Sequence, residues 1–471
     1  MVSQAFSILF ILLSAIAASD AAGSVGINYG RVANNLPSPD KVVQLLKSQG
    51  VTKVKIFDTN PAVLSAFANS GIIVVVCLPN EQLATAAGNQ SFADNWVQAN
   101  IAKYYPATKI EAIAIGNEII GAGINDEMKV VVPAMKAIQA SLVKSSLGSN
   151  IKVSSPIAMS CLGNSYPSSA GSFKPELVDA AIRPMLDFLK QTGSYLMVNV
   201  YPFFAYKDNS KLISLDYALF KENPGVVDSG NGVKYNSLFE AQLDAVFAAL
   251  SALQYDDMKV AVTETGWPSA GDEAETGASL ANAAAYNGNL VRRVLTGKGT
   301  PLRPNDPLNV YIFSLFNENQ KPGPTSERNF GLFYPDMQRV YNIPLSQQDL
   351  NGNLPPPMKS DSQSPPANNG TGGVSKTTVG QTWCLANPNV DQHELQAALD
   401  YACGDGGADC GPIQSNGACF SPNTLVAHAS YAFNSYYQKK ARVSGSCVFN
   451  GASYVSTQPP SFGNCQYSTG Y

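Results

Sequence analysis

The feature that most constrains the fold is a succession of eight short apolar runs between residues 24 and 345. The segments between them carry the apolar spacing of three and four residues that is typical of amphipathic helices. The runs are VGINYG (25–30), VTKVKIFD (51–58), GIIVVVCLP (71–79), IEAIAIGNE (110–118), IKVSSPIA (151–158), SYLMVNVYPF (194–203), KVAVTETGW (259–267) and NVYIFSLFNEN (309–319). Apolar strands that alternate with helices indicate a parallel sheet covered by helices. Eight such units predict an α/β fold, a (β/α)8 TIM barrel.

Two segments illustrate the predicted helices. The first is SPDKVVQLLKSQG (38–50), with Ser38 as a candidate N-cap, and the second is NSLFEAQLDAVFAALSAL (236–253). An open, doubly wound sheet is the alternative to a barrel. It would require a glycine-rich phosphate-binding turn after the first strand, and NYGRVANNL contains no G-x-G-x-x-G motif.

The amino terminus predicts a signal peptide over residues 1–22. The apolar run AFSILFILLSAIAA (5–18) is followed by small residues that suit cleavage. A membrane anchor is the alternative, but a span requires about 20 apolar residues. We therefore expect a secreted protein of the extracellular space or cell wall, without membrane association after signal removal. The net charge of -4 argues against binding of nucleic acid, which requires an excess of Lys and Arg.

The cysteines predict a separate C-terminal module. Six of the eight lie in the tail, at Cys384, Cys403, Cys410, Cys419, Cys447 and Cys465. In a secreted chain this density indicates a disulfide framework, for which six cysteines allow fifteen connectivities. Zinc is the alternative, but the tail has no C-x-x-C pair. Cys77 and Cys161, outside the tail, are expected to be buried apolar residues.

Composition sets the remaining boundaries. Residues 346–380 are rich in Pro, Gly, Ser and Asn and predict an extended linker. The predicted domains are the signal peptide (1–22), the barrel (23–345), the linker (346–380) and the six-cysteine module (381–471). Asn89 and Asn369 each begin an Asn-x-Ser/Thr glycosylation motif.

Carboxylates stand at the ends of predicted strands. Glu118 ends the fourth run, Glu264 lies near the end of the seventh, and Glu318 lies near the end of the eighth. Active sites of such barrels form at the C-terminal ends of the strands, so Glu118 and Glu264 are expected to face one another. A structural ion pair is the alternative for either glutamate alone. Both histidines, His393 and His428, lie in the tail, which excludes a Ser-His-Asp triad or a histidine-bound metal in the barrel.

Two opposed carboxyl groups are the equipment for hydrolysis of a glycosidic bond. One, kept neutral, protonates the leaving oxygen, and the other, ionised, attacks the anomeric carbon or activates a water. Their spacing in sequence does not distinguish retention from inversion. Trp267, just after the seventh run, is placed either to stack on a sugar or to fill the core. This chemistry requires no metal and no cofactor.

The ordered motifs VGINYGRVANNLPSP, VKIFDTNP, AIGNEI, NVYPFF, TETGWPSAG and LFNENQKPGPTSERNFGLF resemble the plant glucan endo-1,3-β-glucosidases of glycoside hydrolase family 17. The resemblance covers residues 25–345 and implies a retaining barrel enzyme that cleaves within β-1,3-glucan chains. It implies Glu118 as proton donor, Glu264 as nucleophile and Asn117 as a ligand of the sugar 2-hydroxyl. It further implies a polar cluster that supports the nucleophile and substrate hydroxyls (Glu318, Lys321 and Glu327) and groove-lining aromatic residues (Tyr29, Phe173, Tyr201 and Phe316).

The tail resembles carbohydrate-binding module family 43, through WCLANPNV, LQAALDYACG, GACFSPNT, HASYAFNSYYQ and GSCVFNGAS. This resemblance implies the disulfides Cys384–Cys447, Cys403–Cys410 and Cys419–Cys465. The helical spacing of Tyr431, Phe433, Tyr436 and Tyr437 predicts one core face and one face able to stack on glucan.

Together these expectations describe a monomeric endo-hydrolase of β-1,3-glucan that its C-terminal module directs to the polymer. Two alternatives stay open. One is a wall-associated glucan-binding protein that does not cut. The other is a transglycosylase, in which a sugar hydroxyl rather than water resolves the covalent intermediate.

Overall fold

The computed structural model describes residues 23–121, 126–351 and, within 382–468, all residues except 388–389, 391, 405, 441, 443–445, 448, 450–451, 457–459 and 461–464. The predicted signal peptide, residues 352–380 of the predicted linker and the glycosylation motif at Asn369 lie outside the described residues. The chain divides into two compact units, with the boundary between Ser362 and Gln363.

The first unit contains a parallel barrel, as the apolar runs predict. Its strands, in chain order, are β1 (Ser24–Tyr29), β2 (Lys53–Ile56), β3 (Ile73–Leu78), β4 (Lys109–Ile115), β5 (Lys152–Ser154), β6 (Pro156–Ala158), β7 (Leu162–Asn164), β8 (Ser172–Phe173), β9 (Leu196–Asn199), β10 (Val226–Val227), β11 (Lys234–Tyr235), β12 (Val260–Thr265) and β13 (Asn309–Ile312). Among the described residues, nine strands form one sheet in the order β5-β4-β3-β2-β1-β13-β12-β9-β6, and all neighbours are parallel. The pairs β7–β8 and β10–β11 are small antiparallel additions.

The predicted fifth run is split between the two edges of the barrel sheet. β5 pairs with β4, whereas β6 pairs with β9, so one segment of chain forms both edges of the sheet. Ser155 lies between them, and its hydroxyl donates to the carbonyl of Ile115 at 2.8 Å. Pro156, which has no N–H to donate to a strand ladder, begins β6. The eight predicted runs thus yield nine strands of a nearly closed barrel.

Helices cover the outside of the barrel. In the first unit they span Pro39–Ser48, Pro61–Ala66, Leu83–Gly88, Gln90–Val97, Asp126–Lys144, Pro175–Leu177, Arg183–Thr192, Pro202–Asp208, Leu215–Ala218, Leu238–Ala252 and Leu280–Leu295. Ser237 caps Leu238–Ala252, because its hydroxyl accepts from the Glu240 N–H at 3.3 Å, and the same hydroxyl donates to the Glu240 carboxylate at 2.8 Å. Ser38 lies at the N-cap position of Pro39–Ser48, but its side chain makes no capping hydrogen bond, which corrects that expectation. No helix of the described residues is both long enough and apolar enough to span a bilayer.

Alternation along the strands decides which residues point into the barrel. A small buried cluster from β3, β4, β9 and β13 fills the interior: Val75, Cys77, Ala112, Ala114, Met197 and Tyr311. Their neighbours along each strand belong to the larger core beneath the helices. Cys77 and Cys161 are buried free thiols, as expected. The described chain continues past the predicted boundary at 345, where the Asp349 carboxylate accepts from the backbone of Leu345 and Ser346.

The second unit is a small disulfide-bonded module. Its two-stranded antiparallel sheet pairs β14 (Trp383–Ala386) with β15 (Ser453–Ser456), and its helices span Gln392–Cys403 and Leu425–Lys439. The disulfides are Cys384–Cys447, Cys403–Cys410 and Cys419–Cys465, the same pairs that the resemblance implies. Tyr431, Phe433 and Tyr437 pack into the module core, whereas Tyr436 is only partly buried.

Candidate active site

A cavity of about 730 Å³ opens at the C-terminal ends of the barrel strands. It is lined by seven of the residues that the sequence proposes for the site: Asn117, Glu118, Tyr201, Glu264, Glu318, Lys321 and Glu327. They lie near or just after the C-terminal ends of β4, β9, β12 and β13, so segments far apart in the chain meet at one mouth. Glu118 and Glu264 therefore share a single cavity, which the barrel interpretation requires.

Glu264 lies on β12, next to a shift in the pairing register between this strand and its neighbour β9. β12 shifts register against β9 between Val262 and Glu264, which marks a bulge. Consecutive residues of a regular strand point to opposite faces. Here Thr263 contacts Asn199 inside the barrel, and Glu264 next to it lines the cavity. The bulge lets these two neighbouring side chains serve the same site.

Two donors hold the Glu264 carboxylate. The Lys55 ammonium donates to Oε1 at 2.7 Å, and the Tyr201 hydroxyl donates to Oε2 at 3.0 Å. Glu264 is only 6% exposed, so water screens these contacts weakly. Burial, together with the nearby Glu264 carboxylate, raises the pKa of Tyr201 well above its usual value, so the phenol stays a donor. The two Glu264 oxygens are thus held by a buried cation and by a phenol.

Sequence reasoning missed Lys55. It occupies an inward position of β2 and is completely buried. Besides Glu264, its ammonium approaches Asn117 Oδ1 at 3.4 Å and lies 4.1 Å from the centre of the Phe57 ring. A carboxylate, an amide oxygen and an aromatic face are each suitable partners for a buried cation. The lysine between Val54 and Ile56, in the interior of a predicted strand, is the signal that could have revealed it.

A strained turn after β4 presents Glu118. Gly116 has φ +65° and Glu118 has φ +56°, a left-handed conformation that is uncommon for a side-chain-bearing residue. Asn80 holds the turn, because its side chain accepts from the Asn117 N–H at 2.8 Å and donates to the Asn117 carbonyl at 3.3 Å. The Glu118 N–H donates to the carbonyl of Pro156 at 3.0 Å. These contacts fix the direction in which Glu118 enters the cavity.

The environment of Glu118 differs from that of Glu264. Its only hydrogen-bond donor that the structure shows among the described side chains is the Asn199 amide, at 2.8 Å from Oε1. Burial raises the pKa of Glu118, and the negative charge of Glu264 raises it further. One carboxyl group is thus held against a cation while the other is biased towards its neutral acid. Pairs of carboxyl groups with opposed environments divide the roles of acid and nucleophile.

The predicted polar cluster of Glu318, Lys321 and Glu327 lines the same cavity as the two catalytic candidates. Glu318 Oε1 accepts from the Val32 N–H at 2.8 Å, and its buried Oε2 has no hydrogen-bond partner. Burial raises the pKa of Glu318. A Cβ at position 30 would lie 2.5 Å from Oε2, so a side chain in place of Gly30 would force the Glu318 carboxylate to move. Lys321 pairs with Glu327 at 2.8 Å and lies over the Phe313 ring at 4.1 Å.

Four predicted groove-lining aromatics are not on the cavity wall. Tyr29, Phe173, Trp267 and Phe316 are at most 5% exposed and lie in the core, which corrects the expectation for them. Tyr29 alternates outward on β1 and packs edge-to-face on Phe316, and Trp267 packs on Phe203, Tyr206 and Tyr286. The aromatic residues of the cavity are instead Phe57, Tyr201, Phe204, Phe313 and Phe330.

Asn89, the described glycosylation candidate, is exposed, and its side chain caps Gln90–Val97 by accepting from the Phe92 N–H. Its glycosylation stays a prediction. In the part of the chain that the structure describes, no three His, Cys, Asp or Glu side chains form a group able to hold a metal ion.

The buried ion pair leads to a testable prediction. Replacing Lys55 with Met leaves the Glu264 carboxylate buried beside Glu118 and Glu318, so we expect the free energy of unfolding of the barrel to fall by about 3 kcal/mol at neutral pH. Urea denaturation at neutral pH measures the loss.

The matched control is Lys190→Met, which removes an exposed lysine paired with Asp257. We expect its unfolding midpoint to stay close to that of the wild type, because exposed pairs contribute little. A stability loss in Lys55→Met no larger than that of the control would contradict the importance of the buried pair.

A parallel barrel that brings two carboxyl groups with opposed environments into one cleft defines a glycoside hydrolase. The family model described as "Glycosyl hydrolases family 17" matches residues 25–345. The chain belongs to this family. A second family model, the X8 domain, matches residues 382–454.

Similar proteins extend over almost the whole chain. It is 42% identical to "Glucan endo-1,3-beta-glucosidase 12" of Arabidopsis thaliana, over 98% of this chain and 87% of that protein. It is 40% identical to "Glucan endo-1,3-beta-D-glucosidase" of Olea europaea, over 99% of this chain and 98% of that protein. Among solved structures, CJP38, a β-1,3-glucanase and pollen allergen of Cryptomeria japonica, is 44% identical with a TM-score of 0.66 and covers 69% of this chain and 99% of its own.

Proposed function

We propose that this protein hydrolyses β-1,3-glucosidic bonds within β-1,3-glucan chains and retains the anomeric configuration. The observation that carries the proposal is the contrast between the two carboxyl groups of the cavity. Glu264 accepts from the Lys55 ammonium and the Tyr201 hydroxyl, whereas burial and the charge of Glu264 raise the pKa of Glu118. An ionised nucleophile and a neutral acid are the two groups that a retaining hydrolase requires.

The substrate class comes from the relatives. Those with the highest coverage carry the names of glucan endo-1,3-β-glucosidases, and their identity to this chain is about 40% over nearly its full length. The cavity suits a sugar polymer, because it combines aromatic rings with hydrogen-bonding groups. Asn117, which approaches Lys55, is proposed to hold the 2-hydroxyl of the sugar at the cleavage point.

The reaction proceeds in two steps. A Glu264 carboxylate oxygen forms a bond to the anomeric carbon while the bond from that carbon to the glycosidic oxygen breaks, and Glu118 transfers its proton to the departing oxygen. The ionised Glu118 then takes a proton from water, whose oxygen attacks the same carbon and releases Glu264 as a carboxylate. Two inversions at one carbon restore its original configuration.

The remaining parts of the chain fit this activity. We propose that residues 1–22 direct secretion to the extracellular space or cell wall, that 23–345 is the catalytic domain, and that the linker (346–380) joins it to a glucan-binding module (381–471). Disulfides in the module suit an oxidising compartment. A module that holds an insoluble polymer raises the local concentration of substrate at the cavity.

The decisive experiment follows the products of a soluble β-1,3-glucan by proton NMR and by size. We expect the β-anomer of the new reducing end to form first and to equilibrate later, with a rapid fall in polymer length that indicates internal cleavage. Initial formation of the α-anomer would contradict retention. Absence of new reducing ends would favour the binding protein without catalysis.

The module offers an independent prediction. Tyr401 is 51% exposed, and its ring lies near those of Tyr436 and Phe449. Sugars stack on such exposed rings, so we expect Tyr401→Ala to weaken binding to insoluble β-1,3-glucan by roughly threefold to tenfold. The control Tyr454→Ala removes a tyrosine of similar exposure, 48%, outside this group of rings. Equal binding of both variants and the wild type in a pull-down assay would contradict a role of this group of rings in glucan binding.

A further inference from the structure

The hydrogen bonds behind Glu118 continue beyond its first partner. The Asn199 amide nitrogen donates to Glu118 Oε1 at 2.8 Å, and the amide oxygen of Asn199 accepts from the Thr263 hydroxyl at 2.9 Å. Thr263 is completely buried and is not among the residues that line the cavity. Its backbone carbonyl accepts from the Asn28 side chain at 3.1 Å, which ties this part of β12 to β1. Two side chains from separate strands, Thr263 on β12 and Asn199 on β9, thus form a chain of hydrogen bonds that ends at Glu118.

The direction of these bonds has a chemical consequence. An amide NH₂ group only donates, so the Glu118 oxygen that faces it must be an acceptor. If the amide keeps this orientation when Glu118 is protonated, Oε1 cannot carry the acidic proton towards Asn199. The proton then resides on Oε2, the other oxygen. Since Asn199 is only 1% exposed, no bulk water competes for its amide.

We infer that Thr263 is a positioning residue that orients the Asn199 amide and thereby assigns the transferable proton of Glu118 to Oε2, the oxygen available to the glycosidic bond. This inference rests on the proposed function, in which Glu118 is the proton donor. Thr263 acts through Asn199 and does not touch the reacting atoms. The bulge of β12 is what makes the arrangement possible, because it lets Thr263 face inward directly before Glu264.

Other charged and titratable groups also face Glu118. They are Lys55 on β2, Cys161 before β7, Tyr201 after β9, Glu264 on β12 and Lys321 after β13. Removal of the Thr263 hydroxyl leaves all of them in place. A change in the pH profile of such a variant therefore reports on the hydrogen-bond chain and not on a lost charge.

The test compares Thr263→Val, which keeps the shape and removes the hydroxyl, with Thr263→Ser, which keeps the hydroxyl. Two substrates are used: soluble β-1,3-glucan, and a β-1,3-linked glucose disaccharide with a dinitrophenolate leaving group, which departs without a proton. For Thr263→Val we expect kcat/KM on glucan to fall about tenfold or more and kcat/KM on the activated substrate to stay within about twofold. Thr263→Ser should behave as the wild type on both.

The pH profile gives a second measurement. A hydrogen bond from the amide favours ionised Glu118 and lowers its pKa, so a turned amide raises that pKa. The acid then stays protonated to higher pH, and the alkaline limb of kcat/KM on glucan should move upward in Thr263→Val. Thr263→Ala also removes the hydroxyl without adding a charge and should move the limb in the same direction. If Thr263→Val does not fold, Thr263→Ala decides the question.

Equal losses on the two substrates with an unmoved alkaline limb would overturn the inference, because they indicate a merely structural role. Unchanged kinetics on both substrates would overturn it as well. Glu118→Gln separates this failure from failure of the proposed function. If Glu118→Gln still cleaves glucan, Glu118 is not the proton donor and the proposed function fails; if it is inactive while Thr263→Val matches the wild type, only the inference about Thr263 fails.

Discussion

Glu264→Gln is expected to lower kcat on β-1,3-glucan by about 10⁴-fold or more, the loss typical of removing a covalent nucleophile. The amide is almost the same size as the carboxylate, its oxygen still accepts from Lys55 and its NH₂ group can donate to the Tyr201 hydroxyl, so the cavity should keep its shape. What disappears is the negative charge that attacks the anomeric carbon and offsets the positive charge developing on the sugar ring. Reducing-end release from soluble glucan measures the loss.

Glu240→Gln is the matched control. Glu240 is also a buried glutamate held by a cation, Arg293 at 2.6 Å, but it lies on the helix Leu238–Ala252, outside the cavity. We expect this variant to retain the wild-type rate. Binding of glucan by folded Glu264→Gln should also persist. If Glu264→Gln keeps more than about a hundredth of the wild-type rate, Glu264 is not the nucleophile.

Glu118→Ala is expected to show the second largest effect, a fall in kcat on glucan of about 10²–10⁴-fold. The dependence on the leaving group should be diagnostic. An aryl glucoside with an acidic phenol leaves without protonation, so its first step should proceed and a covalent glycosyl-enzyme should accumulate. Azide, already an anion, needs no base to attack the anomeric carbon of that intermediate. Added azide should therefore restore turnover of the activated substrate and yield a β-glycosyl azide.

Rescue by azide in Glu118→Ala and its absence in Glu264→Gln would together assign the two roles to different residues. An α-glycosyl azide from Glu118→Ala would instead indicate an inverting displacement. If azide accelerates neither glucan nor activated substrate, Glu118 is not the acid and base of a retaining enzyme. Intact mass spectrometry of the trapped intermediate, followed by peptide mapping, should locate the sugar on Glu264.

The fold could be predicted from the sequence because apolar residues recur with a different spacing in strands and in helices. Runs such as GIIVVVCLP and amphipathic segments such as 236–253 are local patterns, and their order along the chain suffices for a barrel. The cavity residues at strand ends, among them Glu118 and Glu264, could be proposed because active sites of such barrels form at the C-terminal ends of the strands. Errors arose where a side chain's direction depends on alternation within its strand. Tyr29 faces outward on β1 and Phe57 lies at the cavity, although both are aromatic and near strand ends.

Residues that contact the two glutamates only through the tertiary structure are harder to recognise in the sequence. Lys55 and Asn199 lie within apolar runs and gain their importance only because β2, β9 and β12 bring them to Glu264 and Glu118. Similarly, the split at Ser155 depends on which neighbouring strand each half pairs with. Such contacts join residues separated by tens to hundreds of positions, so the sequence can mark Lys55 as an unusual strand residue but does not reveal its partner.

The sequence by itself determined the alternation of strands and helices, the cysteine-rich tail and the absence of histidine from the barrel, because each of these is a matter of residue type and spacing. The tertiary structure decided which cation neutralises Glu264, which amide faces Glu118 and which aromatic rings meet the cavity. The physical reason is that a one-residue register shift, as in β12 between Val262 and Glu264, changes the face to which every following side chain points.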